Sequence, residues 1–501
     1  MRICLINPPG MVKGLNTGLG YLASSLIQKG YQIRVLDLNN NTRNIKERLN
    51  KIRDSDIIGI SVKSSTAQIG REIAEAVGRK DLICGGAHVT IDGYTFLKMN
   101  TNFKLGVIGE GEETLVELAD AIESDLDLRD IKGIIFREGE EIVVNPRRHF
   151  IDDLNSLPNP NYEVFDSFNG TIVHYPLVAS RGCPHMCIYC CVSEVSGKRW
   201  RSRTPERLIE ELELAKSKYR SKSFEIVDDN FTQDLGRAKK FCQLLIEHRL
   251  DMNWACYNGI RADRLDEELV ALMKKSGCNT VSIGVESLDD EVFDNIGKGE
   301  TLENIRRAIS ILKKYKIEVE GSFIIGLPGD NLKKTIASIQ LCKEMHLNKT
   351  MWNLFVPYPG TRAWHWVNTE AKIIRDWTEG FHFGAGIKPV FETKDFTEIE
   401  RIRAFKLANT KCKGYFALID AEKSLIANAF NITQLILKYD ARNIASHIFH
   451  VLKTAVEVRH RIREYERILC TRVFLRSPMS VDKLYIKYGL NEESTPVKPE
   501  S

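Results

Sequence analysis

The densest chemical signal in the chain is Arg181-Gly182-Cys183-Pro184-His185-Met186-Cys187-Ile188-Tyr189-Cys190, with its cysteines spaced C-x3-C-x2-C. Soft thiolates suit iron–sulfur clusters. Three of them on one loop can hold three irons of a cubane, and the fourth iron is then free to chelate a small molecule. Zinc is the competing chemistry. It normally takes four ligands, and Cys191 offers a fourth, although adjacent Cys190 and Cys191 would chelate one ion only under strain.

Such a loop needs a rigid frame, and the surrounding sequence supplies one. From residue 177 short apolar runs alternate with helical stretches. Candidate strands are 177–180, 224–227, 253–256, 280–284, 321–325 and 351–355, with helices such as 206–218 and 302–314 between them. Thr204-Pro205-Glu206 is a strong helix start: a cap, a proline at the first position and an acid in the first turn. Six strand–helix units predict a partial or full β/α barrel. Chemistry in such barrels sits at the C-terminal ends of the strands. The cysteine loop follows the first strand and belongs at that mouth.

A second α/β series precedes it. Strands are predicted at 2–6, 32–38, 57–62, 82–84 and 105–108, and helices at 19–28, 69–77 and 113–122. That alternation predicts a doubly wound parallel sheet, Rossmann-like in outline. Two glycine-bearing loops fall on its ligand-binding edge: Gly85-Gly86-Ala87-His88-Val89-Thr90 and Gly109-Glu110-Gly111-Glu112-Glu113-Thr114. Glycine there lets backbone N–H groups approach a ligand. Gly18-x-Gly20-x-x-Ala23, with Asp37 ending the second strand, imitates a dinucleotide fingerprint. The loop from Asn7 to Gly18 is long for that tight turn. Residues 133–136 and 141–144 read as a hairpin around Gly139, and Pro158 and Pro160 mark a stiff linker. The predicted division is 1–130 for the sheet domain, 131–170 for hairpin and linker, 171–375 for the barrel, 376–490 for a helical C-terminal region and 491–501 for a polar, disordered tail.

Bulk composition narrows the setting. A chain of 501 residues is too long for one ordinary core. A net charge of +4 argues against a molecule that binds nucleic acid by its overall field. No stretch reads as a secretory leader or a transmembrane helix. Twelve cysteines without a leader point to a reducing, cytoplasmic compartment. Cys191, Cys242, Cys256, Cys278, Cys342, Cys412 and Cys470 are scattered and read as small buried apolar residues.

The cysteine motif, with an aromatic before its last cysteine, resembles the signature of the radical S-adenosylmethionine (SAM) superfamily. In that family a [4Fe–4S] cluster on the three cysteines binds SAM through its open iron. One electron then cleaves SAM to a 5′-deoxyadenosyl radical that abstracts hydrogen. The resemblance therefore implies Cys183, Cys187 and Cys190 as cluster ligands. Further stretches are similar to the cobalamin-binding branch: Glu225-Ile226-Val227-Asp228-Asp229-Asn230-Phe231, Asn258-Gly259-Ile260-Arg261-Ala262-Asp263, Gly284-Val285-Glu286-Ser287, Gly326-Leu327-Pro328-Gly329 and Pro357-Tyr358-Pro359-Gly360-Thr361. It implies SAM contacts at Asp228, Asp229, Arg261 and Glu286, with the two aspartates suited to the SAM amino group. The two glycine loops resemble those of a cobalamin-binding domain and imply cofactor contacts at Gly85, Gly86, His88, Gly109, Glu110 and Gly111. The Asp-x-His-x-x-Gly motif that supplies a cobalt ligand in many cobalamin proteins is absent. His88 reads as a loop hydrogen-bonder, and the lower cobalt face stays unassigned.

Together these features imply methylation of an unactivated carbon in a small-molecule or lipid substrate, with an external one-electron donor of flavodoxin or ferredoxin type and no nucleic-acid partner. Ring formation or oxidation without methyl transfer uses the same parts. A methylthiotransferase would carry a second cysteine triad, but only Cys4 and Cys84 precede Cys183. A non-enzymatic cobalamin or redox sensor would signal through the C-terminal helices. There Ile444, Ile448, Leu452, Ala455, Ile462 and Leu469 form an apolar stripe beside Arg459, Arg461, Arg463, Arg467, Arg472 and Arg476. The stripe reads as core packing, or as peripheral docking to an anionic membrane surface.

Overall fold

The computed structural model describes residues 1–10, 14–381 and 388–412. The apolar stripe, its arginines, the predicted tail and Cys470 lie outside the described residues.

Five strands, β1 (Arg2–Asn7), β2 (Gln32–Asp37), β3 (Ile57–Ser61), β4 (Leu82–Gly85) and β5 (Phe103–Val107), form a parallel sheet in the order β2-β1-β3-β4-β5. Its strands are rich in β-branched residues and buried on both faces, as parallel sheets are. Alternation along β1 sends Ile3 and Leu5 into one core and Cys4 and Ile6 into another, on opposite faces. The predicted hairpin is β6 (Ile134–Glu138) and β7 (Glu141–Val144), and it extends this sheet, with β6 antiparallel to β5.

The linker straps the open side of β2. Val35 N donates to Val164 O at 2.9 Å, and Arg48 meets Asp166 at 2.7 Å. This strap explains the dinucleotide-like pattern. A Cβ at Gly20 would lie 2.9 Å from Pro160 and from Tyr162, so that glycine serves helix–linker packing. Asp37 accepts from Asn7 at 2.9 Å and from Asn40 at 2.6 Å, and also from Ser167. Its carboxylate is thereby occupied.

The second sheet has six parallel strands: β8 (His174–Leu177), β11 (Ser223–Ile226), β12 (Asn253–Cys256), β13 (Cys278–Glu286), β14 (Glu318–Ile325) and β15 (Lys349–Leu354), adjacent in that order. Between β8 and β11 the short strands β9 (Ser180–Arg181) and β10 (Arg201–Ser202) pair with each other. The first and last of the six do not pair, so this is a partial barrel. The first strand ends at Leu177, three residues earlier than the apolar run suggested, because Ser180 leaves the sheet to pair with Ser202. The helix after Thr204 forms as its cap predicts, with Thr204 Oγ accepting from Arg207 N at 3.3 Å. Phe323 and Trp352 stack at 4.1 Å inside adjacent strands. The barrel core is continuous through Tyr162, Phe165, Tyr175 and Tyr219 with one face of the N-terminal sheet.

Cys4, Cys84, Cys242, Cys256, Cys278, Cys342 and Cys412 are buried, while Cys191 is partly exposed beside the cysteine loop. Helix 398–411 opens the C-terminal region, with Thr397 and Glu400 forming its capping box. Among the described residues no helix is long and apolar enough to cross a membrane.

Candidate functional site

The β9–β10 ribbon closes the cysteine loop at its base. Gly182 takes φ +85°, and a Cβ there would lie 2.4 Å from Arg199 O, so a side chain has no room. Backbone bonds shape the rest: Cys183 N to Gly197 O at 3.1 Å, Ile188 N to Ile296 O at 2.9 Å and Cys190 N to Cys187 O at 3.2 Å. Cys183, Cys187 and Cys190 are partly buried, and Cys190 feels the charges of Cys187 and Cys183. Burial pushes all three thiols up, Cys190 to about 12. Lys298 and Arg261 oppose this at Cys187. A metal centre must displace those protons. Three thiols on one loop next to two buried cations suit the negative charge of a thiolate-bound cubane.

Asp228 and Asp229 both bond to the segment that carries the cysteine loop. Asp228 is buried and accepts from Ala179 N and Ser180 Oγ, both at 2.6 Å. Asp229 accepts from Gly182 N at 2.9 Å. Both oxygens of Asp228 are engaged by the turn that leads into the cysteine loop. Burial raises its pKa to about 6 against the pull of Arg237 and these hydrogen bonds.

Charge at the mouth comes from a network below the loop. Glu286 ends β13 at φ +63°, a left-handed conformation unusual outside glycine. It accepts from Tyr189 of the cysteine loop at 2.8 Å. Lys298 Nζ lies 3.3 Å from both Glu286 and Glu300. Arg261 lies 2.9 Å from Asp263 and 3.5 Å from Glu300, and donates to Lys298 O at 2.9 Å. Burial works against the Lys298 ammonium, but Glu286 and Glu300 hold its pKa up. Lys298 and Glu300 were missed by sequence reasoning. The signal was there in Gly297-Lys298-Gly299-Glu300, where charged residues interleave with glycines at φ +62° and +71°. Charges of both signs beside Cys187 suit a ligand carrying both an ammonium and a carboxylate.

The edge of the N-terminal sheet is built differently. Val62 N donates to Gly85 O at 2.7 Å, and His88 N to Val62 O at 3.1 Å. Gly86 takes φ +106°, and a Cβ there would lie 2.9 Å from Val62 O. His88 is buried, 5.1 Å from the Phe96 ring and 5.4 Å from Trp377, with Nδ1 3.4 Å from Ser64 Oγ. Burial lowers its pKa to about 4. Gly109 takes φ +82°, and nothing lies within 4 Å of where its side chain would begin. That open peptide leaves room for a broad planar ligand.

Glu110 on the second glycine loop is bound by donors of the barrel and linker. It accepts from Arg181 at 3.0 Å, from Arg201 at 2.9 Å and from Ile151 N at 2.7 Å. Glu112 takes the other side of Arg181 at 2.6 Å. The Glu110 carboxylate is thereby held against the barrel. Burial pushes its carboxyl up, but Arg201 and Arg181 outweigh burial and hold it below the usual value. This buried hub ties the second glycine loop to Arg181, two residues before Cys183. Elsewhere Arg147 bridges Thr90 O at 3.2 Å and Glu194 O at 3.4 Å. Trp377, also unanticipated, sits 5.4 Å from His88 and 5.9 Å from Tyr358 of the loop after β15. The two edges are therefore linked through Arg181 and Arg201, through Arg147 and through Trp377.

The radical SAM superfamily model matches residues 177–342, and the B12 binding domain model matches residues 12–119. An uncharacterized methyltransferase of Pyrococcus horikoshii is 30% identical over 464 residues, covering 89% of this chain and 98% of that protein. The chain belongs to the cobalamin-binding radical SAM family, whose cofactors are a [4Fe–4S] cluster, SAM and cobalamin. An anaerobic magnesium-protoporphyrin IX monomethyl ester cyclase of Cereibacter sphaeroides is 24% identical, covering 76% of this chain and 64% of that protein. Among solved structures, the radical SAM methyltransferase TsrM of Kitasatospora setae, with cobalamin and a [4Fe–4S] cluster bound, superposes with a TM-score of 0.69. It is 16% identical, and the match covers 93% of this chain and 99% of that one. That likeness is one of fold.

Proposed function

We propose that this protein is a cobalamin-dependent radical SAM methyltransferase acting on an unactivated carbon of a small molecule. The observation that carries the reading is the Glu110–Arg181–Arg201 hub, which ties the second glycine loop to the base of the cysteine loop within one chain. In this reading Cys183, Cys187 and Cys190 hold the cluster, and Glu286, Lys298 and Arg261 orient SAM beside it. Gly85, Gly86, Gly109 and Gly111 shape the edge that receives the corrin, while Asp228 and Asp229 keep the cysteine loop in place. Trp377, which contacts His88, Tyr358 and Trp364, would exclude water where the two edges meet. When bound, the cluster and SAM supply a radical that abstracts hydrogen, and cobalamin supplies the methyl group. The electron enters from an external flavodoxin- or ferredoxin-type donor. Support comes from the Pyrococcus relative's designation as a methyltransferase and from TsrM, whose substrate in a solved complex is tryptophan.

Cyclisation without methyl transfer is the second reading, favoured by the cyclase relatives. The test is anaerobic incubation of reconstituted protein with SAM, reductant and hydroxocobalamin, followed by mass spectrometry. A methyltransferase yields both 5′-deoxyadenosine and S-adenosylhomocysteine, and Cys187→Ala loses 5′-deoxyadenosine. A cyclase yields 5′-deoxyadenosine alone. Absence of both from cluster-loaded protein, together with a cluster EPR spectrum that SAM leaves unperturbed, would overturn both readings.

A further inference from the structure

We propose that Asn230 and Gln233 tune the cluster's reduction potential through a hydrogen bond donated to the sulfur of Cys183. The inference rests on the assignment of Cys183 as a cluster ligand and adds to it a residue outside the cysteine loop. Asn230 is 1% exposed, and its Nδ2 lies 3.6 Å from Cys183 Sγ. The same nitrogen donates to Gln233 Oε1 at 2.8 Å. Gln233 Oε1 in turn lies 3.0 Å from His185 Nε2. The chain of contacts runs from the cysteine loop through Gln233 and Asn230 back to its first cysteine.

Three features hold the Asn230 amide in this orientation. Gln233 Oε1 accepts from Nδ2, which fixes the amino end of the amide toward the sulfur. Trp200 Nε1 donates to Asn230 O at 2.8 Å and Ser180 Oγ to the same oxygen at 3.3 Å, so the backbone is pinned from two sides. Asp228 and Asp229, immediately before it, are bonded to Ala179, Ser180 and Gly182. Meanwhile Asn230 Oδ1 is buried with no hydrogen-bond partner among the described residues. An unsatisfied buried carbonyl is a cost that an apolar side chain of equal volume would avoid. What the amide supplies at this position is its N–H.

The consequence is electrostatic. A hydrogen bond donated to a cluster thiolate favours the more negative, reduced state, and such bonds are among the levers that set cluster potentials. Asn230 is thus a positioning residue that makes the cluster easier to reduce, and Gln233 braces it.

The test uses full-length, anaerobically reconstituted protein. Iron is counted, the cluster is titrated by EPR-monitored redox potentiometry without SAM, and Fe–S stretching bands are compared in H2O and D2O. Asn230→Leu removes the donor at similar volume, Asn230→Asp replaces it with an acceptor, and Gln233→Leu removes the brace. The expected result is about four irons per chain in all three. The midpoint falls in Asn230→Leu, falls further in Asn230→Asp and falls least in Gln233→Leu. The deuterium shift of the Fe–S bands weakens in Asn230→Leu. Full iron loading with unchanged midpoints would overturn the proposal. If Asn230→Leu fails to load, Gln233→Leu carries the test by the same criterion. The underlying assignment fails separately: Cys183→Ala retaining full iron would remove the cysteine and this proposal together, whereas iron lost from Cys183→Ala with unmoved midpoints sinks the tuning role alone.

Discussion

The two linked edges of this molecule are made of opposite materials. The barrel mouth is charged side chain: Glu286, Lys298, Glu300, Arg261 and Asp263 alternate in sign within 3.5 Å of one another. The N-terminal edge is built on glycine backbone at Gly85, Gly86 and Gly109, and the carboxylate of its second loop, Glu110, is paired with Arg181 and Arg201. Point charges suit a small zwitterion, whereas bare peptides and space suit a broad macrocycle. The N-terminal domain spends the buried carboxylates of Glu110 and Glu112 on joining the other domain.

That contrast breaks most severely at Glu110. Glu110→Ala leaves the Arg201 guanidinium, whose side chain is 2% exposed, without its partner. The expected loss is about 3–5 kcal/mol of stability, read by urea denaturation. A loss near that of a surface pair, below about 1 kcal/mol, would mean that the hub does not join the domains.

The next effect is an opposition in pH dependence. Asp228 sits at about 6 when folded, above its ordinary value, because burial disfavours the carboxylate. Its protonated form favours the fold, so its contribution is present below about pH 4 and is lost as pH rises through 6. His88 has the opposite sign. Folded it sits at about 4, below its ordinary 6.5. Its contribution is present above about pH 6.5 and is lost as pH falls through 4. Thermal melts from pH 4 to 7 should therefore show wild type losing stability relative to Asp228→Asn as pH rises, by about 3 kcal/mol at most. Against His88→Phe, wild type should gain over the same range. Parallel slopes would contradict the burial of one group or the other.

Gly86→Ala is expected to cost about 1–3 kcal/mol, because its φ of +106° and the approach of Val62 O leave no unstrained place for a methyl group. It should also weaken hydroxocobalamin binding in an absorbance titration, while Asp228→Asn leaves that affinity unchanged. Equal effects of the two variants on cobalamin would erase the distinction between the edges.

Much of this frame was legible in the sequence. The apolar periodicity placed every strand of both parallel sheets within a few residues, and the cysteine spacing and glycine loops marked both edges. What was not legible came from long-range packing. A chain of letters does not show that the oxygens of Asp228 meet Ala179 and Ser180 some fifty residues earlier. Nor does it show that Glu110 pairs with Arg201, 91 residues on. Gly20 imitated a phosphate turn, yet its bareness serves Tyr162. Trp377 sat in a stretch without a motif, and only the fold brings it to His88.

The central claim is that cluster and cobalamin occupy the two linked edges of one chain. It is tested most directly by EPR of anaerobically reduced protein carrying both the [4Fe–4S] cluster and cob(II)alamin, compared with protein carrying each alone. The account predicts spectra split or broadened by magnetic interaction between the two centres, with the interaction lost in Cys187→Ala. A spectrum equal to the simple sum of the two isolated centres, at full loading of both, would contradict it.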